Sequence, residues 1–253
     1  MKKNRSLSRF IKLPVYFLFF AFVTWSAYWF LGTIYIENKV LKNNNLKYEK
    51  SSISGYPIFF NINLKKLEYN FSKKISFEEV NLKTFAWRFE QIRTFINEQI
   101  SIQISNSISI KALPSNLIID LYNYDNNSKK FEILGNNIIL SENYSNKSFS
   151  IDGISGTVTQ NEIYNINILT SKDSSSLKIQ GYIDTKNDYL EGNLEFSFSD
   201  PNDIKRLFEI FSINIEENPI TNLLIYRGKI NLIFEDGISL LGPLPIGRAP
   251  KLK

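Results

Sequence analysis

Between Leu13 and Ile36 the chain reads LPVYFLFFAFVTWSAYWFLGTIYI, 24 residues without a charged side chain. As a helix this segment is about 36 Å long, enough to cross a hydrocarbon core of about 30 Å. Lys2, Lys3, Arg5, Arg9 and Lys12 precede it and Glu37 follows it, so the positive-inside rule keeps its N-terminus in the cytoplasm. Trp25, Tyr28, Trp29 and Tyr35 crowd its far half, as aromatics do at a membrane interface. The run is about twice the apolar core of a cleaved signal peptide, and no small-x-small site closes it. The expectation is a basic cytoplasmic tail (1–12), an uncleaved single-pass anchor (13–36), and the rest of the chain on the far side of the membrane. The counts of 36 Ile and 29 Asn match the AT-biased codons of a bacterial genome. The expected location is therefore a bacterial inner membrane, with the bulk of the chain in the periplasm.

The net charge of +5 belongs to the tail. Without its five cations, residues 13–253 hold 25 basic and 25 acidic side chains. A neutral body has no electrostatic footprint for a phosphate backbone, and no nucleic-acid partner is expected. The chain has no Cys and no His, which removes thiol nucleophiles, Cys/His zinc sites, histidine general bases and Ser-His-Asp triads. The carboxylates that remain are scattered or adjacent. Glu78-Glu79 and Glu216-Glu217 would point to opposite faces of a strand, and Asp184-Thr-Lys-Asn-Asp188 places a cation inside an otherwise calcium-like spacing. Gly153-Ile-Ser-Gly156 lacks the lysine of a phosphate loop. The reading is of a protein that is not an enzyme, with no catalytic residue, metal or cofactor.

Beyond the anchor, period-two alternation dominates, the mark of strands with one buried face. It is clearest at Ile100, Ile102, Ile104, Ile108 and Ile110, which alternate with Ser and Gln. Ile58, Phe60, Ile62 and Leu64 repeat it; Leu67, Tyr69 and Phe71 follow with parity switched, predicting a bulge or bend near Lys65-Lys66. Weaker alternations recur to Phe234, separated by turn residues. Two segments show helical spacing: Phe85, Phe89, Ile92 and Ile96 (a helix over 85–97), and Ile204, Leu207, Phe208, Phe211 and Ile215 behind an Asp200-Pro201 start (201–215). The predicted architecture is mainly β: a transmembrane helix, a stalk (37–50), an elongated antiparallel β domain (51–241), curved or sandwich-like with these one or two short helices, and a Pro-rich tail (242–253). The tail, GPLPIGRAP, can form neither helix nor central strand.

Three features together resemble a bacterial family, the domain of unknown function 2125 proteins. They are the N-terminal anchor, Gly55-Tyr56-Pro57-Ile58-Phe59-Phe60 opening the first long strand, and the closing run from Leu240 to Pro250. The Gly-aromatic-Pro opening is also similar to larger AsmA-like envelope proteins, anchored β-rich proteins associated with lipid traffic. The resemblance covers nearly the whole chain and implies a membrane-anchored periplasmic β-sheet protein. It carries over no catalytic residues, and Arg248 stands where it would lead one to expect another proline.

The alternating apolar faces have two readings. One is the core of a closed sandwich or barrel; the other is an open face that holds acyl chains. Hiding about 300–400 Å² of lipid tail is worth roughly 8–10 kcal/mol at about 25 cal/mol per Å². On the second reading Ile58, Phe60, Ile62, Ile100, Ile102, Ile104, Ile108 and Ile110 line a lipid-binding track. The function expected is binding or transfer of a lipid or other amphipathic molecule. The alternative is an envelope assembly module without a small ligand, docking an envelope protein partner through sheet edges or the 242–253 tail.

Overall fold

The computed structural model describes residues 5–70, 74–103, 109–125, 128–142, 148–210 and 219–251. Helix α1 (Arg5–Tyr35) spans the uncharged run and ends in one π-helical turn, Ile36–Val40. Part of it is long and apolar enough to cross a membrane. From Lys12 to Thr24 every side chain is exposed, on all sides of the helix. From Trp25 onward one stripe is covered: Trp25, Trp29, Gly32, Thr33 and Ile36, spaced as one helical face. The N-terminal half is thus free and the C-terminal half is docked.

The described residues after the helix form one antiparallel sheet of fifteen strands in near-perfect chain order. The strands are β1 (Leu46–Lys47), β2 (Lys50–Ser54), β3 (Phe59–Asn70), β4 (Lys74–Phe85), β5 (Arg88–Ile96), β6 (Ile100–Gln103), β7 (Ser109–Asp125) and β8 (Ser128–Glu142). They continue as β9 (Ser148–Gln160), β10 (Tyr164–Lys172), β11 (Ser175–Asp184), β12 (Glu191–Phe198), β13 (Lys229–Glu235), β14 (Ile238–Leu241) and β15 (Leu244–Arg248). Helices α2 (Pro201–Ile210) and α3 (Pro219–Tyr226) lie between β12 and β13. β1 and β2 are two pieces of one edge strand on β3, and β5 and β6 are two pieces of one strand between β4 and β7. The predicted antiparallel, mainly β architecture behind an apolar N-terminal helix is what the structure has.

The parity switch foreseen at Lys65-Lys66 is one point on a seam. In β3 the buried positions run Phe60, Ile62, Leu64 and then Leu67, and Lys66 adopts φ 49°. In β7 Leu117 and Pro114 are buried and the two residues between them are exposed. In β8 Gly135 and Ile138 are buried on either side of Asn137, at φ 50°. In β9 Phe149 and Ile151 give way to Ile154. Register is unchanged across the seam between β3 and β4 and between β7 and β8. Neighbouring strands therefore switch together, and the apolar side stays on one face of the sheet.

Three expectations need correction. The segment 85–97 is not a helix: Phe85 closes β4, Ala86-Trp87 turn, and Arg88–Ile96 is β5, with Phe85 paired to Arg88. The i, i+3, i+4 spacing of Phe89, Ile92 and Ile96 coexists with the alternation Ile92-Thr94-Ile96, which a polar Thr disguises. β-Branched and aromatic residues between two waiting partner strands settle it as strand. Second, a helix was missed. Pro219 is the first residue of α3, where a missing N–H costs nothing. Third, strand pairing begins at Leu46, inside the expected stalk, and includes Leu244–Arg248 of the expected tail. β15 is the last strand of the sheet, where Pro245 is tolerated. The tail then returns, Leu190 N–H donating to the Pro250 carbonyl at 2.9 Å.

The second predicted helix forms over Pro201–Ile210; residues 211–215 lie outside the described residues. Its start is built as expected: the Asp200 carboxylate accepts from Asn202 N–H at 2.8 Å and Pro201 sits in the first turn. Ile204, Leu207, Phe208 and Ile210 are buried, with Phe208 edge-on to Phe196 at 6.0 Å. α2 packs against β8, β9 and β12. Asp203, also buried, ties it to the β10–β11 turn, accepting from Lys172 Nζ at 2.8 Å and Ser175 Oγ at 2.5 Å. Burial alone would raise this carboxyl; the bonds from Lys172 and Ser175 outweigh it and hold it below the ordinary carboxylate value. A depressed folded value stabilises the fold above the unfolded pKa of about 4, and the contribution disappears as pH falls through the lower folded value. Asp203→Asn should cost about 1–3 kcal/mol at neutral pH. Urea unfolding of the two proteins from pH 7 to 2.5 checks this: the gap between them should narrow only in the acid range.

Candidate functional site

Cross-strand registers turn separate alternations into faces, because residues directly opposite one another in an antiparallel sheet share a side. One row runs Ile53, Ile62, Leu82, Thr94, Ile119, Ile133, Gly156, Ile168, Ile179, Phe196, Ile230, from the first edge of the sheet to β13. Nine of these eleven are large and apolar. At Gly156 a Cβ would lie 2.7 Å from the Asn167 carbonyl and 2.9 Å from Ile168 Cα, so the break in the row reflects close backbone approach. A parallel row runs Leu121, Phe131, Val158, Ile166, Gly181, Leu194, Leu232, Leu241. The other face carries Asn61, Lys83, Arg93, Asp120, Glu132, Thr157, Asn167, Gln180, Glu195, Asn231 at the adjacent register, polar throughout.

The apolar face is not covered evenly along the strands. At the end near α2, Ile138, Phe149, Ile151, Leu177, Phe198, Ile204 and Phe208 are all buried. At the other end, where the turns 55–58, 86–87, 161–163, 185–190 and 236–237 gather, Leu121, Phe131, Val158, Ile166, Ile183, Leu232 and Phe234 are only half-buried. The middle of the long row, from Leu82 through Ile179, is half-buried as well. The face is sealed at one end by α2; at the other, Phe60, Thr84, Ala86, Leu194 and Leu241 are buried while the strands between, β7 to β11, stay half-covered.

At this second end α1 covers the first strands. Trp29 lies flat on Phe60, 5.3 Å between centroids and 13° between planes, and its Nε1–H donates to the Phe59 carbonyl at 3.0 Å. Trp25 Nε1–H donates to the Pro57 carbonyl at 2.9 Å, and Tyr28 O–H to that of Ala86 at 2.8 Å. Gly32 lets the helix sit on the Phe60 ring: a Cβ there would be 2.6 Å from Phe60 Cζ. Each indole and phenol thereby spends its polar tip on a backbone carbonyl, which leaves ring surface for packing.

The eight residues proposed as a track do not form one line. Phe60 and Ile62 are buried on the apolar face beside α1. Ile100 and Ile110 are buried too, but beyond the seam at the far end. Ile102 pairs with Ile75 and Ile110 yet is 39% exposed. Ile58 is in a turn and 44% exposed, so it is off the face. Ile104 and Ile108 lie outside the described residues. The central row, Leu82 with Ile119, Ile133, Ile168 and Ile179, was missed as a unit because its members come from different strands. Each alternation is visible in sequence; which alternations align is a matter of register.

The polar face offers a second place to look. A depression of about 670 Å³ there is lined by Arg93, Asp120, Glu132, Thr157, Asn167 and Lys178 and by the apolar Ile118, Leu134 and Leu169 of the next row. Its carboxylates are engaged: Arg93 Nε and Nη2 donate to both Asp120 oxygens at 2.6 and 2.8 Å, and Lys130 Nζ lies 2.6 Å from Glu132. Paired carboxylates on a solvated sheet face give no poised acid and base. Among the described residues no group of three or more acidic side chains gathers to hold a metal.

Phe60→Ala should cost about 3–5 kcal/mol, since it empties the site between Trp29 and Phe89. Ile102→Ala should change stability by only about 0.5 kcal/mol. Urea midpoints of the two variants in detergent check the ranking. No family model, curated protein or solved structure matches the chain.

Proposed function

We propose that this is a single-pass inner-membrane protein, N-terminus in the cytoplasm, whose periplasmic β domain binds a lipid or similar amphipathic molecule along its apolar face. The observation that carries the reading is the gradient of cover. The apolar face is closed where α2 caps it and where α1 sits on Phe60, and it is half-covered along β7 to β11 at the end where the helix leaves for the membrane. A core that only had to stabilise the domain would gain most by being sealed at both ends. A face that receives acyl chains from a bilayer has to stay accessible on the bilayer side. The polar opposite face and the neutral body suit a domain standing in water beside a membrane. Binding would be passive, driven by transfer of acyl surface onto Ile, Leu and Phe side chains, with no covalent step.

A photo-crosslinking amino acid placed at Ile133, Ile179 or Phe131 in intact cells should form lipid adducts detectable by mass spectrometry. The same group at Asn167 or Gln180, on the polar face, should form far fewer. Equal or absent adducts at all five positions would reject lipid binding on this face. Ile133→Asp should lower the lipid recovered with the purified chain without unfolding it, since Ile133 is only half-buried.

A further inference from the structure

Among the described turns at that end of the sheet, the two next to α1 are the ones without an acidic residue. Residues 55–59 read GYPIF and 85–89 read FAWRF, with Arg88 the single charge. The neighbouring described turns carry acids, Glu162, Asp184, Asp188, Glu235 and Asp236, with Tyr189 and Ile238 as single exposed apolar side chains among them. In the apolar pair the large side chains point outward. Trp87 is 57% exposed, and Tyr56, Ile58, Phe85 and Phe89 are exposed as well. Their rings form a continuous surface with the helix: Trp87 lies 6.1 Å from Trp25 and 5.2 Å from Phe85, and Phe85 lies 4.8 Å from Phe59. Tyr56 shares a 2.6 Å hydrogen bond with Ser26 and stacks on Phe30, itself exposed.

Helix geometry sets the depth. From Leu13 to Trp25 the helix rises about 18 Å, well short of the hydrocarbon thickness of about 30 Å. An anchor that fills the bilayer therefore brings its docked half, with the two turns attached, into the outer leaflet.

We propose that the turns 55–59 and 85–89 are a membrane-docking tip, sunk into the interfacial layer of the bilayer beside α1, while the acidic turns of the same end stay in water. The occupant of this apolar patch is the lipid surface. The tip's continuity with the exposed helix, its aromatic composition and its single cationic charge all match the headgroup region, where Trp and Tyr concentrate. Docking at this depth holds the half-covered end of the apolar face against the leaflet, so a lipid would pass onto it without crossing water. The inference rests on α1 being a membrane anchor.

The chain has no cysteine, so single-cysteine labelling is free of background. Trp87→Cys and Ile58→Cys report the tip, Thr185→Cys an acidic turn, and Phe19→Cys the helix; all four positions are exposed. Each full-length variant carries a polarity-sensitive fluorophore in vesicles of phosphatidylethanolamine and phosphatidylglycerol doped with nitroxide-labelled lipid. The expected result is that labels at 58 and 87 lose most of their emission to shallow nitroxides, as label 19 does to deep ones, and label 185 keeps its own. Quenching at 19 without quenching at 58 and 87 would overturn the docking tip and leave the anchor standing. Equal quenching at 185 would overturn it as well, because immersion would then not be a property of the aromatic turns. An unquenched label at 19 would remove the anchor, and the tip with it.

Discussion

A sheet built from many consecutive strands works only if every strand turns its apolar side the same way, because a one-residue slip sends a whole set of side chains to the wrong face. That constraint organises this molecule. Ile62, Leu82, Ile119, Ile133, Ile168, Ile179, Phe196 and Ile230 belong to eight different strands and stand in one row. Even the seam obeys it. Where Lys66 and Asn137 adopt positive φ, adjacent strands change parity together and the apolar side is preserved. A strand bending alone would have exposed its own Ile and Leu and buried its neighbours' polar residues.

The second organising contact is Trp29 on Phe60. A helix made to cross a bilayer is apolar on all sides, so apolarity alone cannot orient it against a domain. Gly32 gives the close approach, and Trp25, Tyr28 and Trp29 donate to the backbone carbonyls of Pro57, Ala86 and Phe59. Three of the aromatics crowding the far half of the apolar run bind the domain by their polar tips. Helix and sheet are one packed unit, so the position of one fixes that of the other.

Legibility in sequence followed the range of the interaction. α2 could be read because caps, proline position and apolar spacing are all local. The parity switch at Lys65-Lys66 could be read for the same reason. The segment 85–97 misled because its local spacing suits both a helix and a strand, and the partners that decide are β4 and β7. α3 was missed because a proline that ends one helix can equally begin another. Of the eight residues assigned to a track, Phe60 and Ile62 lie on the apolar face beside α1 and Ile100 and Ile110 lie beyond the seam, since alternation within a strand says nothing about its neighbour's offset.

What the sequence determined by itself was the kind of surface each segment has: a charge-free helix long enough for a bilayer, strands with one apolar side, a neutral body, and no cysteine or histidine chemistry. These are properties of composition and period, which need no partner. Tertiary structure decided which surfaces meet. It set the register that joins eight apolar positions into a row, the capping of one end by α2, and the docking of half of α1 onto two aromatic turns. Those outcomes depend on contacts between residues tens of positions apart, where the free energy lies in pair geometry rather than in any single residue's preference.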